Sequence, residues 1–199
     1  AALLAGRNQH RVGFGLVSEF AGPFPGYNAT IPRDCATLPR VLQENGYMTG
    51  CFGKWHLTPD DQQGAAGPFN RWPNGLGFDY FWGFLGGEAG QYDPLIFENQ
   101  KPIGVPEGTD GKPYYFPDDM ADKAIEWLYR IRAQDSTTPW FAYIATGCSH
   151  APHHVPTEWS DRYKGKFDEG WDVMREKTFA RQTELGVIPP DAELTKPDE

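Results

Sequence analysis

Two short runs of this sequence gather side chains that can act on an anion. In Gly53-Lys54-Trp55-His56, Lys54 and His56 stand two residues apart, so an extended backbone projects both to the same side. A lysine ammonium supplies a point charge, and a histidine supplies a donor or a proton acceptor near neutral pH. Together they suit a tetrahedral oxyanion such as sulfate or phosphate. The second run, Cys148-Ser149-His150-Ala151-Pro152-His153-His154, places three histidines within five positions. His153 and His154 are adjacent and lack the i, i+4 spacing of a helical metal pair, with no thiolate or carboxylate set of zinc spacing beside them. A structural or surface role fits those two better than a zinc site. Taken alone, the Lys-His run is weak evidence and reads more readily as a solvated lysine with a satisfied loop histidine.

Both runs follow segments that read as strands. Tyr47 to Phe52 leans to β and ends where Gly53 begins the first run, and a short helix near 37–45 precedes it. Thr37 is placed as its N-cap, Pro39 in its first turn, Leu38, Val41 and Leu42 on one face, and Gly46 as its stop. Trp140 to Ala145 is an unbroken apolar run between Pro139 and Gly147, the pattern of a strand buried on both faces of a parallel sheet. A helix capped by Asp118 or Asp119 and running to about Ala133 should present Ala121, Ala124, Ile125, Leu128 and Ile131 to the core. Ala1 to Leu4 before Gly6 reads as helix, 13–34 as a long loop, and 57–116 as loops with at most short strands. Asp172 to Leu185 reads as an amphipathic helix stopped by Gly186, and 189–199 as a polar, proline-rich loop. The aromatic stretch Phe78 to Phe84 would either pack a loop or line a pocket. Polar groups collecting at the ends of two strands suit an α/β sheet, whose ligands sit at the carboxyl edge.

At 199 residues the chain is long enough for a substantial core. Its net charge of -9 argues against binding to nucleic acid, which needs clustered Lys and Arg. No apolar run approaches the roughly 20 residues that span a bilayer, so no membrane span and a soluble protein are expected, in a cytoplasmic, periplasmic or secreted setting. The odd set Cys35, Cys51 and Cys148 has no C-x-x-C spacing and reads as buried thiols, with one bridged pair as the alternative.

With these elements in place, the chain resembles the type I sulfatases of the alkaline-phosphatase superfamily over nearly its full length. Ala-Ala-Leu-Leu-Ala-Gly-Arg-Asn at 1–8 is similar to the helix that follows the sulfatase motif C/S-x-P/A-x-R. Thr37-Leu38-Pro39, Gly46 to Gly50 and Phe52 to His56 are similar to the second sulfatase block. Pro139 to Ile144 leading to Ser149 through His153 resembles the family's strand and A-P-H-x-P segment, with Cys148-Ser149 where Ala-Pro is usual. Trp159 through Leu185 resembles the bacterial arylsulfatase continuation.

The resemblance implies an α/β fold, part of a sulfatase-like sandwich with a mostly parallel sheet flanked by helices and long loops. Residues 1–199 would be a piece of one catalytic domain, truncated at both ends and inactive alone. It implies hydrolysis of a small-molecule sulfate ester by a formylglycine nucleophile. That residue would be made from Cys or Ser by a formylglycine-generating or sulfatase-maturing enzyme, and would precede Ala1. A divalent metal, usually calcium, would have its ligands outside these residues. Asp60-Asp61 follow the Lys-His block and Asp118-Asp119 open a helix, so neither is assigned to a metal. Lys54 would contact the sulfate oxygens, His150 would donate to the leaving oxygen, and His56 would take the proton from the formylglycine hydrate. The alternatives are a phosphodiester or phosphonate hydrolase of the same superfamily, and a non-catalytic degenerate sulfatase or binding module.

Overall fold

The computed structural model describes residues 1–108 and 111–196. The chain divides into two compact units, 1–154 and 155–199. Residues 109 and 110 of the expected loop region, and 197–199 of the expected C-terminal loop, lie outside the described residues.

The first unit is built on a sheet of order β4-β3-β2-β1-β5. β1 (Met48–Lys54) runs parallel to β2 (Tyr80–Phe84) on one side and to β5 (Trp140–Ala145) on the other. β3 (Ile96–Glu98) and β4 (Lys101–Ile103) extend the sheet antiparallel beyond β2. The period-two alternation of strands sends neighbouring side chains into different cores. Cys51 and Phe81 join Leu4 of α1 (Ala2–Ala5), Ile31, Trp72 and Phe78 on one face. Phe52, Trp82 and Phe84 meet α3 (Phe116–Gln134) on the other. Each such fully buried aromatic side chain contributes on the order of 1.5–3 kcal/mol.

Several elements differ from the sequence expectation for identifiable reasons. In the aromatic stretch 78–84, residues 80–84 form β2, an interior strand, and Phe84 at its end lines a cleft of about 310 Å³. β5 is not buried on both faces. It is the edge strand of the described sheet, and Trp140 and Ile144 are 44% and 54% exposed. α3 starts at Phe116, with Tyr115 as its N-cap, so Asp118 and Asp119 fall in its first turn instead of capping it. Its buried stripe is Phe116, Met120, Ala124, Trp127 and Ile131, rotated from the expected one because Met120 and Trp127 offer more apolar area than Ala121 and Ile125. In α2 (Leu38–Glu44), Pro39 is buried while Leu38 and Val41 are exposed. The Thr37 hydroxyl donates to the Leu76 carbonyl and makes no cap bond, which ties α2 to the segment before β2.

The second unit contains α4 (Thr157–Ser160) and α5 (Gly170–Glu184), neither with a buried side chain. α5 ends close to the expected stop, with Gly186 at φ 69°. Arg162 lies over the Trp159 ring, 3.9 Å from its centroid, and Arg175 donates to the Thr195 carbonyl at 2.6 Å. Among the described residues, no helix is long and apolar enough to cross a membrane.

Candidate active site

The carboxyl ends of the parallel strands β2, β1 and β5 lie side by side, with Lys54 paired to Phe84 and Gly53 to Ala145. Gly53 makes this approach feasible. It sits at φ 104°, and a Cβ there would lie 2.0 Å from the Ala145 carbonyl oxygen. β1 runs two residues further than the sequence suggested, so Lys54 is its last residue, half-buried, its ammonium without a hydrogen bond or ion pair among the described residues.

His56 follows in a left-handed conformation, φ 55°, which histidine tolerates better than bulky or β-branched residues. Its backbone N–H donates to the Leu85 carbonyl at 3.0 Å, which anchors it to the chain leaving β2. Its ring Nε2 lies 2.8 Å from both carboxylate oxygens of Glu19. A carboxylate accepts hydrogen bonds, so Nε2 carries a hydrogen and, in the neutral ring, Nδ1 keeps its lone pair. Burial works to raise the Glu19 pKa, but the His56 hydrogen bond, a backbone hydrogen bond, the His56 charge and the Ser18 hydroxyl together hold it below its ordinary value.

His150, in the chain after β5, has the opposite arrangement. Its Nδ1 is 2.9 Å from the Ala151 carbonyl oxygen and 3.4 Å from Glu88 Oε2. Since a carbonyl also only accepts, Nδ1 carries the hydrogen and Nε2 is the nitrogen left open. The segment Gly87-Glu88, just past β2, touches both histidines. A Cβ on Gly87 would lie 2.7 Å from His56 Cε1, and Glu88 is the carboxylate facing His150. Glu88 also lines a cleft of about 310 Å³ with Gly86, Gly90, Asp93 and Leu95.

Lys54, His56 and His150 thus reach one edge of the sheet, from two different strands. His153 is exposed, and His154 turns away to accept from the Gln91 backbone N–H at 3.4 Å and to lie against Tyr92. All three cysteines are free; Cys35 and Cys51 are buried, whereas Cys148 is exposed, contrary to the expectation of a buried thiol. Glu19 and Glu88 were not among the residues singled out from the sequence. Glu19 is 37 positions from His56, inside a Gly- and Pro-rich loop, and no local spacing announces the pairing. Among the described residues, no group of three or more His, Cys, Asp or Glu side chains is placed to hold a metal ion. The metal implied by the resemblance therefore has no donor set here.

The family profile described as Sulfatase matches residues 1–191. An uncharacterized sulfatase of Schizosaccharomyces pombe is 32% identical, over 94% of this chain and 35% of its own length. An arylsulfatase of Klebsiella aerogenes is 28% identical, over 96% of this chain and 41% of its own. Among solved structures, that of Ps i-CgsB in complex with k-i-k-neocarrahexaose superimposes with a TM-score of 0.60 at 25% identity, covering 81% of this chain and 36% of that one. The chain thus spans 35–41% of the length of these relatives.

Proposed function

The chain belongs to the sulfatase family, and from that premise we propose that it carries part of the catalytic site of a sulfate-ester hydrolase. Lys54 holds the sulfate, His150 protonates the leaving alcohol, and His56 accepts a proton so that sulfate can depart. The observation that carries this reading is the segment Gly87-Glu88, which packs against His56 through one residue and faces His150 with the next.

The division of labour follows from which ring nitrogen is occupied. His150 holds Nδ1–H on the Ala151 carbonyl and leaves Nε2 free, so in the doubly protonated ring Nε2–H donates to the oxygen left as the S–O bond breaks. His56 offers Nδ1 as acceptor, and the imidazolium it becomes is stabilised by Glu19. The Lys54 ammonium offsets charge growing on the sulfuryl oxygens. A formylglycine, made from a Cys or Ser preceding Ala1 in the parent protein by a sulfatase-maturing enzyme, would supply the attacking oxygen.

The test is to assay the full-length parent with 4-nitrophenyl sulfate and 4-nitrophenyl phosphate. Sulfate hydrolysis should dominate, and dominant phosphatase turnover would overturn the reading. Lys54→Ala and His150→Ala should each lower sulfate turnover by roughly 10²- to 10⁴-fold with the circular dichroism spectrum kept. His154→Ala should change turnover little, because that ring is turned to Gln91 and Tyr92.

A further inference from the structure

We infer that Glu19 is a positioning residue that fixes His56 in the tautomer with Nε2–H toward the carboxylate and Nδ1 open as proton acceptor. The inference deepens the reading of His56 as the proton acceptor and rests on it for its catalytic consequence.

The placement is held from several directions. Glu19 lies in a 3-10 turn, Ser18–Phe20, whose Ser18 is only 5% exposed and donates its hydroxyl to Glu19 Oε2 at 3.3 Å. Both carboxylate oxygens stand 2.8 Å from Nε2, so small rotations of the carboxylate do not lose the contact. From the other side, Gly87 presses on the pair. A Cβ there would fall 2.7 Å from His56 Cε1 and 2.9 Å from Glu19 Oε1. The His56 backbone is fixed by its bond to Leu85 and holds a left-handed φ of 55°, a conformation that persists only where its surroundings impose it. An ordinary surface ion pair needs neither the buried serine nor the bare glycine.

Proton accounting gives the pair its use. Before transfer the ring is neutral, with hydrogen on Nε2, a lone pair on Nδ1 and a negative Glu19. After Nδ1 takes a proton, the ring is positive beside that same negative carboxylate, and no proton passes to Glu19. The low pKa of the Glu19 carboxyl agrees with a carboxylate that stays ionised throughout. Without Glu19 the ring could turn over or change tautomer and present an N–H where an acceptor is required.

The experiment uses the full-length parent with 15N-labelled histidine, the His56 signals being identified by their loss in His56→Gln. The wild-type ring should show protonated Nε2 and bare Nδ1, and Glu19→Gln, whose amide can donate, should abolish that single tautomer. In parallel, Glu19→Gln should lower kcat at least about tenfold with KM little changed, and Glu19→Asp should restore part of it. A wild-type ring protonated at Nδ1, or a tautomer unmoved by Glu19→Gln, overturns the inference whether or not the parent cleaves sulfate esters. A parent that lacks sulfatase turnover but shows the tautomer change sinks the functional reading and supports the placement of Glu19. If Glu19→Gln does not fold, the wild-type spectrum and Glu19→Asp decide the question.

Discussion

His56 and His150 carry the same side chain past the carboxyl ends of two strands with opposite nitrogens occupied, and the difference lies in their neighbours. A carboxylate claims Nε2 of His56, and a carbonyl claims Nδ1 of His150. Lys54, His56 and His150 were legible chiefly through the resemblance of their two runs to the sulfatase blocks, since the Lys-His run alone is weak evidence. The partners that assign their roles were not visible, since a glutamate in a long loop looks like any solvated charge. Gly87 is the residue where this can be probed sterically. Gly87→Ala places a methyl against both His56 and Glu19, so one must move, and displacement of a reacting group by about 1 Å costs on the order of 10²-fold. Turnover of the parent with an aryl sulfate should fall accordingly. Gly86→Ala, whose Cβ would meet only the Glu88 carbonyl oxygen at 3.6 Å, should stay close to wild type. Equal loss in both variants would mean that the loop backbone matters and the contact with His56 does not.

The elements that hold these residues were legible where local chemistry decides them. Gly6, Gly46 and Gly186 sit at positive φ just past the helices they were expected to end, and β1 and β5 pair in parallel as the apolar runs implied. Legibility failed where partners distant in sequence decide. Whether Trp140 to Ala145 is an interior or an edge strand depends on its neighbours in the sheet, and Tyr80 to Phe84 lacks the alternation that marks a half-buried strand because it is covered on both sides. Asp119 shows the same limit. It was expected to open or cap a helix, yet its Oδ2 accepts from Trp82 Nε1 at 2.9 Å and from the Tyr114 hydroxyl at 2.7 Å, joining α3 to β2 beneath the site. Trp82 and Tyr114 are buried, so Asp119→Ala strands two donors and should destabilise the fold by about 1–3 kcal/mol in urea unfolding. Asp119→Asn keeps an acceptor oxygen and should cost less, and equal costs would deny the network its role.

Across the whole molecule, the proposed reaction requires a chain of net charge -9 to admit an anion, and the arrangement at the strand ends is suited to that. Two of the carboxylates nearest the site are directed at histidines, while Lys54 has no carboxylate partner among the described residues. The same sheet that aligns these groups sorts the three thiols. Cys51 lies on β1 and is 0% exposed, and burial pushes its thiol well above the usual range; Cys35 packs in the same core at 7%; Cys148 lies in the exposed chain after β5. Thiolate is the reactive form, so burial suppresses reaction through both access and ionisation. Alkylation of the native parent, mapped by peptide mass, should therefore label Cys148 and spare Cys35 and Cys51. In rising urea, Cys35 and Cys51 should become reactive together as helical circular dichroism is lost, because they share one core with Phe81 and Trp72. Native labelling of Cys51 would contradict the central position of β1, and with it the alignment of strand ends on which the placement of Lys54 and His56 depends.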